Sequence, residues 1–267
     1  AYITRILFAR TLGPEQYGLF SSVFTFIIFF LFFRDLGFDI SLVKHISEYH
    51  VQQKYNEIKT AIISTYTIQL LTSVLFASIF FYSADYLALS YFKNPQAALL
   101  LKISSIYIIS SLFFLILKNT FQSFQRSFLY SSIDTIKNSI ILIASLIFFH
   151  QGLTVLSPIL AYVLVGPVLF FLYSPFLFHT LPLRKYKIIQ VKEITKSITL
   201  FAIPIFFANV GSRAIAYIDT LFLTYFRTLT EVGIYNVILP SAMIFLLFSS
   251  AINSVLFPLI TEMNAKK

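Results

Sequence analysis

Ionisable and amide side chains inside long apolar runs are the residues of this sequence most able to do chemistry. A charge at the centre of a bilayer costs about 2.5–3.5 kcal/mol even on lenient insertion scales, so each needs a cavity, a partner or a route to the interface. The richest run carries Asn209, Arg213 and Tyr217 at i, i+4 and i+8, hence on one face of a helix. Two readings stand for Arg213. In one, it faces a polar cavity with Asn209 and Tyr217 and binds an anionic headgroup such as a diphosphate, whose oxygens suit the planar guanidinium fork. In the other, it pairs with an acid on a neighbouring helix and fixes packing. Asp219 turns away from that face and is expected to play a structural part, capping a helix or pairing with Arg227 or Arg5.

A second group is Arg34, Asp35 and Asp39, with the two acids at i, i+4 on one face and Arg34 about 100° away. Like charges that close repel, so one is expected to be protonated or both to meet a cation. The other reading is a salt-bridge network internal to one bundle. Asp134 and Lys137, at i, i+3, are expected to neutralise each other. His45, His50, His150 and His179 lack metal-ligand spacing, and no nucleophile elbow or phosphate-binding glycine loop is present. No metal, cofactor or catalytic residue is implied.

The elements that must hold these residues follow from composition. The 267 residues are 58% hydrophobic and only 12% charged, with a mean hydropathy of +0.82, whereas soluble domains carry roughly 25% charged residues. No soluble core hides that much apolar surface, so the bilayer is the solvent. Phe is abundant at 32 residues, and Cys is absent, which removes disulfides and thiol chemistry. The net charge of +9 does not point to nucleic acid, because the basic residues sit in short loops between apolar runs.

A spanning helix needs about 20 apolar residues. The sequence predicts a partial helix over 2–12 and full spans over 18–43, 58–82, 97–121, 129–149, 154–177, 198–226 and 233–259. The fold class is therefore all-α and polytopic, with about eight transmembrane helices, the first truncated. Because it opens inside an apolar run, the chain is expected to be part of something longer. Twelve Lys and Arg residues fall in one set of alternate loops, against Arg10, Lys93, Lys102 and Arg227 in the other. By that bias the first set, the basic loop at 184–196 and the C-terminal end face the cytoplasm.

The segment from Arg10 to Phe20 and the segment from Arg227 to Tyr235 match as Arg-Thr-Leu, an acidic or amide residue, then Gly-aliphatic-aromatic. Six helices separate the copies, which implies a parallel repeat about an axis along the membrane normal. The expected units are a six-helix lobe over 1–178, a basic cytoplasmic linker over 179–197, and the first two helices of a second lobe over 198–267.

Several of these stretches carry a resemblance. They are Gly13-Pro14-Glu15-Gln16-Tyr17-Gly18-Leu19-Phe20, Asp35-Leu36-Gly37, the run from Lys44 to Tyr49, Tyr217-Ile218-Asp219-Thr220-Leu221-Phe222-Leu223, Glu231-Val232-Gly233-Ile234-Tyr235-Asn236, and Ser254-Val255-Leu256-Phe257-Pro258. In this order the chain resembles the O-antigen-type polysaccharide and oligosaccharide flippases of the multidrug/oligosaccharidyl-lipid/polysaccharide exporter superfamily. The resemblance implies two six-helix lobes around a central cavity and alternating access, with a polyprenyl-diphosphate-linked oligosaccharide as substrate. It also implies residence in the cell membrane among membrane lipids and polysaccharide assembly enzymes as partners. A cation-coupled multidrug antiporter of the same superfamily is the alternative, and a membrane-embedded glycosyltransferase or polymerase a more distant one. Arg213 favours an anionic substrate, and the short outer loops disfavour the enzyme.

Overall fold

The computed structural model describes residues 2–242, together with Ile252 and Leu256. Helix α1 (Tyr2–Asp35) is two legs joined at Gly13, whose φ of 75° and ψ of 170° leave the helical region. Pro14 opens the second leg, where its missing N–H would have had no partner anyway. The chain doubles back there, since the rings of Phe8 and Phe20 meet edge to face at 5.6 Å. The partial helix over 2–12 is the first leg.

The second leg stops at Asp35. Leu36 (φ 51°) and Gly37 (φ 79°) are left-handed, and α2 (Phe38–Val51) resumes beyond them. The expected span over 18–43, in which Gly37 allows a bend, is thus broken into two helices. The reason is tertiary: a Cβ at Gly37 would overlap the carbonyl oxygen of Ala202, so the break lets a distant helix approach the backbone closely.

Next come α3 (Tyr55–Ser90), α4 (Gln96–Ser123), α5 (Ser127–His150) and α6 (Leu156–Thr180). A short 3₁₀ turn (Leu183–Lys185) lies in the basic linker, α7 (Val191–Phe226) follows, and α8 begins at 229 and is described to 242. Helices α1 and α3–α7 are each long and apolar enough to cross a membrane, so the chain is a multi-pass membrane protein. Helix α7 begins seven residues before the expected 198, which shortens the linker to 181–190. The expected remainder of the last span, and most of the Ser254–Pro258 stretch, lies outside the described residues.

Two apolar cores hold the bundle. The larger joins α1 and α3–α6 through residues such as Phe8, Ile27, Leu101, Leu117 and Leu169. The smaller, on the linker side, joins α2, the start of α3 and the start of α7 through Leu42, Ile46, Ile58, Ile198 and Ala202. In lipid, helices gain little from apolar burial alone, so small residues and interhelical hydrogen bonds carry more of the association. Helix α4 illustrates this. Its Ser110 hydroxyl donates to the Val163 carbonyl at 2.7 Å, and Gly166 of α6 sits where a Cβ would overlap the Ser110 carbonyl oxygen.

Candidate substrate cavity

Helix α7 packs on the first six helices at both ends, and between them, where Phe206 stacks on Phe32 at 5.0 Å, residues 207–219 are exposed or half-buried. On the linker side, the Ser41 hydroxyl donates to the Ile198 carbonyl at 2.7 Å, and His45 Nε2 lies 3.0 Å from the Ser197 hydroxyl. At the far end, the Tyr91 hydroxyl donates to the Leu221 carbonyl at 2.7 Å and Lys93 Nζ to the Tyr225 carbonyl at 2.9 Å. Between these clamps the helix spans a cavity of about 190 Å³ lined by Arg34, Asp35 and Asp39, by Tyr107 and Ser111 of α4, and by Arg213 and Tyr217 of α7.

Two of the groups singled out in the sequence therefore share one space. Arg213 stands over the ring of Phe32 with its Cζ 6.0 Å from the centroid, a distance at which the ring's quadrupole attracts the cation. On α1, Arg34 is only 3% exposed, and among the described residues its Nε and Nη1 have no hydrogen-bond partner. A buried polar group without a partner is costly, and a charged one more so.

Arg34 does not pair with its acidic neighbours; among the described residues the ion pairs are Lys44–Glu48, Lys102–Asp85, Lys118–Asp134 and Lys137–Asp134. The acids are held by neutral amides instead. Gln69 Nε2 donates to Asp35 Oδ1 at 2.7 Å and to Asp39 Oδ1 at 3.1 Å. Asn119 Nδ2 donates to the same Asp39 oxygen at 3.0 Å and to the Tyr66 hydroxyl at 3.2 Å. This is not the salt-bridge network of the sequence reading, because the donors to the carboxylates are uncharged. Satisfying the acids this way leaves the guanidinium of Arg34 for something else.

The other site residues lie elsewhere. Asn209 turns back on its own helix, donating from Nδ2 to the Ile205 carbonyl at 2.9 Å, and does not line the cavity. Asp219 accepts a hydrogen bond from the Tyr235 hydroxyl at 2.9 Å, which ties α7 to α8. It shares a surface recess with Arg227 without forming an ion pair. Asp134 is bridged by Lys137 at 3.1 Å, as the spacing predicts, and also by Lys118 at 2.7 Å. Sequence reasoning missed Gln69, Asn119, Tyr66 and Tyr107. The signal available was a neutral amide within an apolar span, which needs an interior partner as a charge does. Among the described residues no His and acid cluster has the makings of a metal site.

The profile of a family described as polysaccharide biosynthesis protein matches residues 1–264 of this chain. The chain is also similar to an uncharacterized membrane protein of Methanocaldococcus jannaschii, 25% identical over 280 residues. That alignment takes in 98% of the chain and 55% of the relative, so the chain spans about half the relative's length. No solved structure matches it.

Proposed function

The chain belongs to the polysaccharide biosynthesis protein family, and from that membership we propose that it is a transporter flipping a lipid-linked oligosaccharide across the cell membrane for surface polysaccharide synthesis. The substrate is polyprenyl-diphosphate-linked, and it crosses by alternating access of two lobes. The observation that carries this reading is the pair of guanidiniums, one from α1 and one from α7, lining one cavity, with Arg34 buried and its Nε and Nη1 without a hydrogen-bond partner among the described residues. Such a space suits a diphosphate, since arginine binds phosphate oxygens through parallel N–H bonds and keeps its charge at any working pH. Tyr217 and Tyr107 offer aromatic faces beside the charges. The apolar surfaces of α3 and α6, with Leu71 and Phe171 well exposed, suit a tail that stays in lipid. The basic loops and the C-terminal end face the cytoplasm, where polysaccharide assembly enzymes supply the substrate.

A cation-coupled antiporter is the second reading, favoured by Asp35 and Asp39 on the same cavity wall. The two separate in a bacterial strain lacking its polysaccharide flippase and complemented with this gene. Restored surface polysaccharide is expected, with Arg213→Ala or Arg34→Ala lowering it at least tenfold at equal membrane abundance. Full activity in both variants sinks the anion-cavity reading, and drug resistance conferred by the unaltered gene supports the antiporter.

A further inference from the structure

The two copies of the Arg-Thr-Leu repeat touch each other, and they do so reciprocally. A Cβ on Gly18 would overlap the carbonyl oxygen of Leu229 and lie 3.0 Å from Gly233 N. A Cβ on Gly233 would overlap the carbonyl oxygen of Pro14 and lie 3.1 Å from Gly18 N. Pro14 stands four residues before Gly18, and Leu229 stands four residues before Gly233. Each glycine thus meets the carbonyl that occupies the equivalent place in the other copy, as a local twofold axis requires. The backbones of α1 and α8 cross in direct contact, closer than any side chain permits.

Beneath this crossing lies a small polar layer. The Thr224 hydroxyl of α7 donates to the Ser22 hydroxyl of α1 at 2.9 Å, and the Thr220 hydroxyl donates to Asn236 Oδ1 of α8 at 3.3 Å. The first leg of α1 adds a contact between the hydroxyls of Tyr2 and Ser241 at 2.9 Å. Ser22, Thr220, Thr224 and Asn236 are all buried. Hydrogen bonds between hydroxyls and amides can be exchanged for bonds to water with little net cost, whereas an interdigitated apolar seam has no such exchange. Interhelical hydrogen bonds in membrane proteins average only about 0.6 kcal/mol each. The contact joins close backbone and a few exchangeable hydrogen bonds to the apolar packing of Leu229 against the main core, and it is tight enough to exclude water.

We propose that the Gly18–Gly233 crossing is the closed gate of the central cavity on the face opposite the basic linker. The two repeat copies form its two leaves. Each glycine is required because any Cβ would wedge the leaves apart against a backbone carbonyl that no rotamer change moves. The proposal rests on the transporter reading but on nothing about the substrate, and its test reads access to the cavity rather than transport.

The natural chain has no cysteine, so one introduced at Leu115, on the cavity wall, is its sole thiol. Intact cells are treated with a membrane-impermeant maleimide from outside, and labelling is compared with the detergent-solubilised protein. Slow labelling is expected with both glycines in place, rising at least tenfold in Gly18→Ala or Gly233→Ala. Equal labelling before and after substitution, or outside labelling of the unsubstituted glycine background as fast as in detergent, overturns the gate. Should an alanine variant fail to fold, Ser22→Ala and Thr224→Ala remove the hydrogen bond below without adding bulk. They are expected to speed labelling as well, and no change in either overturns the proposal. A protein that is a flippase with a gate elsewhere, or a gated protein that moves another substrate, is told apart because complementation and labelling are separate readouts.

Discussion

At the scale of single residues, the cavity is organised by which polar groups satisfy which. Arg34, Asp35 and Asp39 are adjacent in sequence, so a pairing among them is the natural expectation from spacing. The structure instead spends Gln69 and Asn119 on the acids, and that allocation was invisible because both amides come from helices 30 or more positions away. Arg213 and Tyr217 were legible, since the i, i+4 rule places them together. Asn209 obeys the same rule, yet its amide reaches Ile205 on its own helix, a local competition that spacing does not reveal. Gln69 and Asn119 are buried. Gln69→Leu removes one of the two donors to each acid, while Asn119 still serves Asp39 and the Asp39 N–H still serves Asp35, so it is expected to destabilise the protein by about 0.5–1.5 kcal/mol. Thermal unfolding in detergent checks this, and an unchanged midpoint would mean that the acids find other donors.

At the scale of elements, the start of α8 is fixed by a capping box. Thr228 N donates to Glu231 Oε2 at 3.0 Å, and Glu231 N donates to the Thr228 hydroxyl at 3.3 Å, the reciprocal pattern of a Thr three residues before a Glu. Thr228→Ala is expected to cost about 1 kcal/mol. These bonds, the backbone one foremost, hold the Glu231 carboxyl below its ordinary range. A depressed carboxyl pKa means that the cap's contribution is complete above the ordinary glutamate range and is lost as pH falls through the lowered value. A pH-dependent part of the unfolding profile is expected to vanish in Glu231→Gln. The helix hairpin at Gly13-Pro14 and the spans of α3–α6 were readable from hydropathy and turn residues. Gly37 allowed a bend, but the full break at Leu36-Gly37 was not readable, because glycine inside an apolar run signals a close approach only when the approaching helix is known.

At the scale of the whole molecule, the linker is less a hinge than a strap. Lys59 Nζ donates to the Tyr186 carbonyl at 2.7 Å, Lys187 N to Asn56 Oδ1 at 2.9 Å, and Ile189 N to the Thr60 hydroxyl at 3.0 Å, while the Tyr55 and Tyr186 rings stack at 5.2 Å. These contacts bind 186–189 to the start of α3 and leave Arg184, Lys185 and Lys187 exposed. Asn56→Ala combined with Thr60→Val is expected to raise tryptic cleavage in this segment several-fold, read by gel after limited digestion of inside-out vesicles; unaltered cleavage would show that the strap holds without them. The expected division into lobes rests on charge and on a short repeat, and nothing in the sequence said that the repeat copies meet. The reciprocity of the Gly18 and Gly233 contacts has a consequence for assembly. An interface in which each side presents the same carbonyl and the same glycine is self-complementary, the form that two identical chains make about a twofold axis. A six-helix chain bearing one copy would already hold both halves of the contact and could pair with its twin. Encoding both copies in one polypeptide fixes their stoichiometry at one to one and frees the two to diverge, as Gly18-Leu19-Phe20 and Gly233-Ile234-Tyr235 have done.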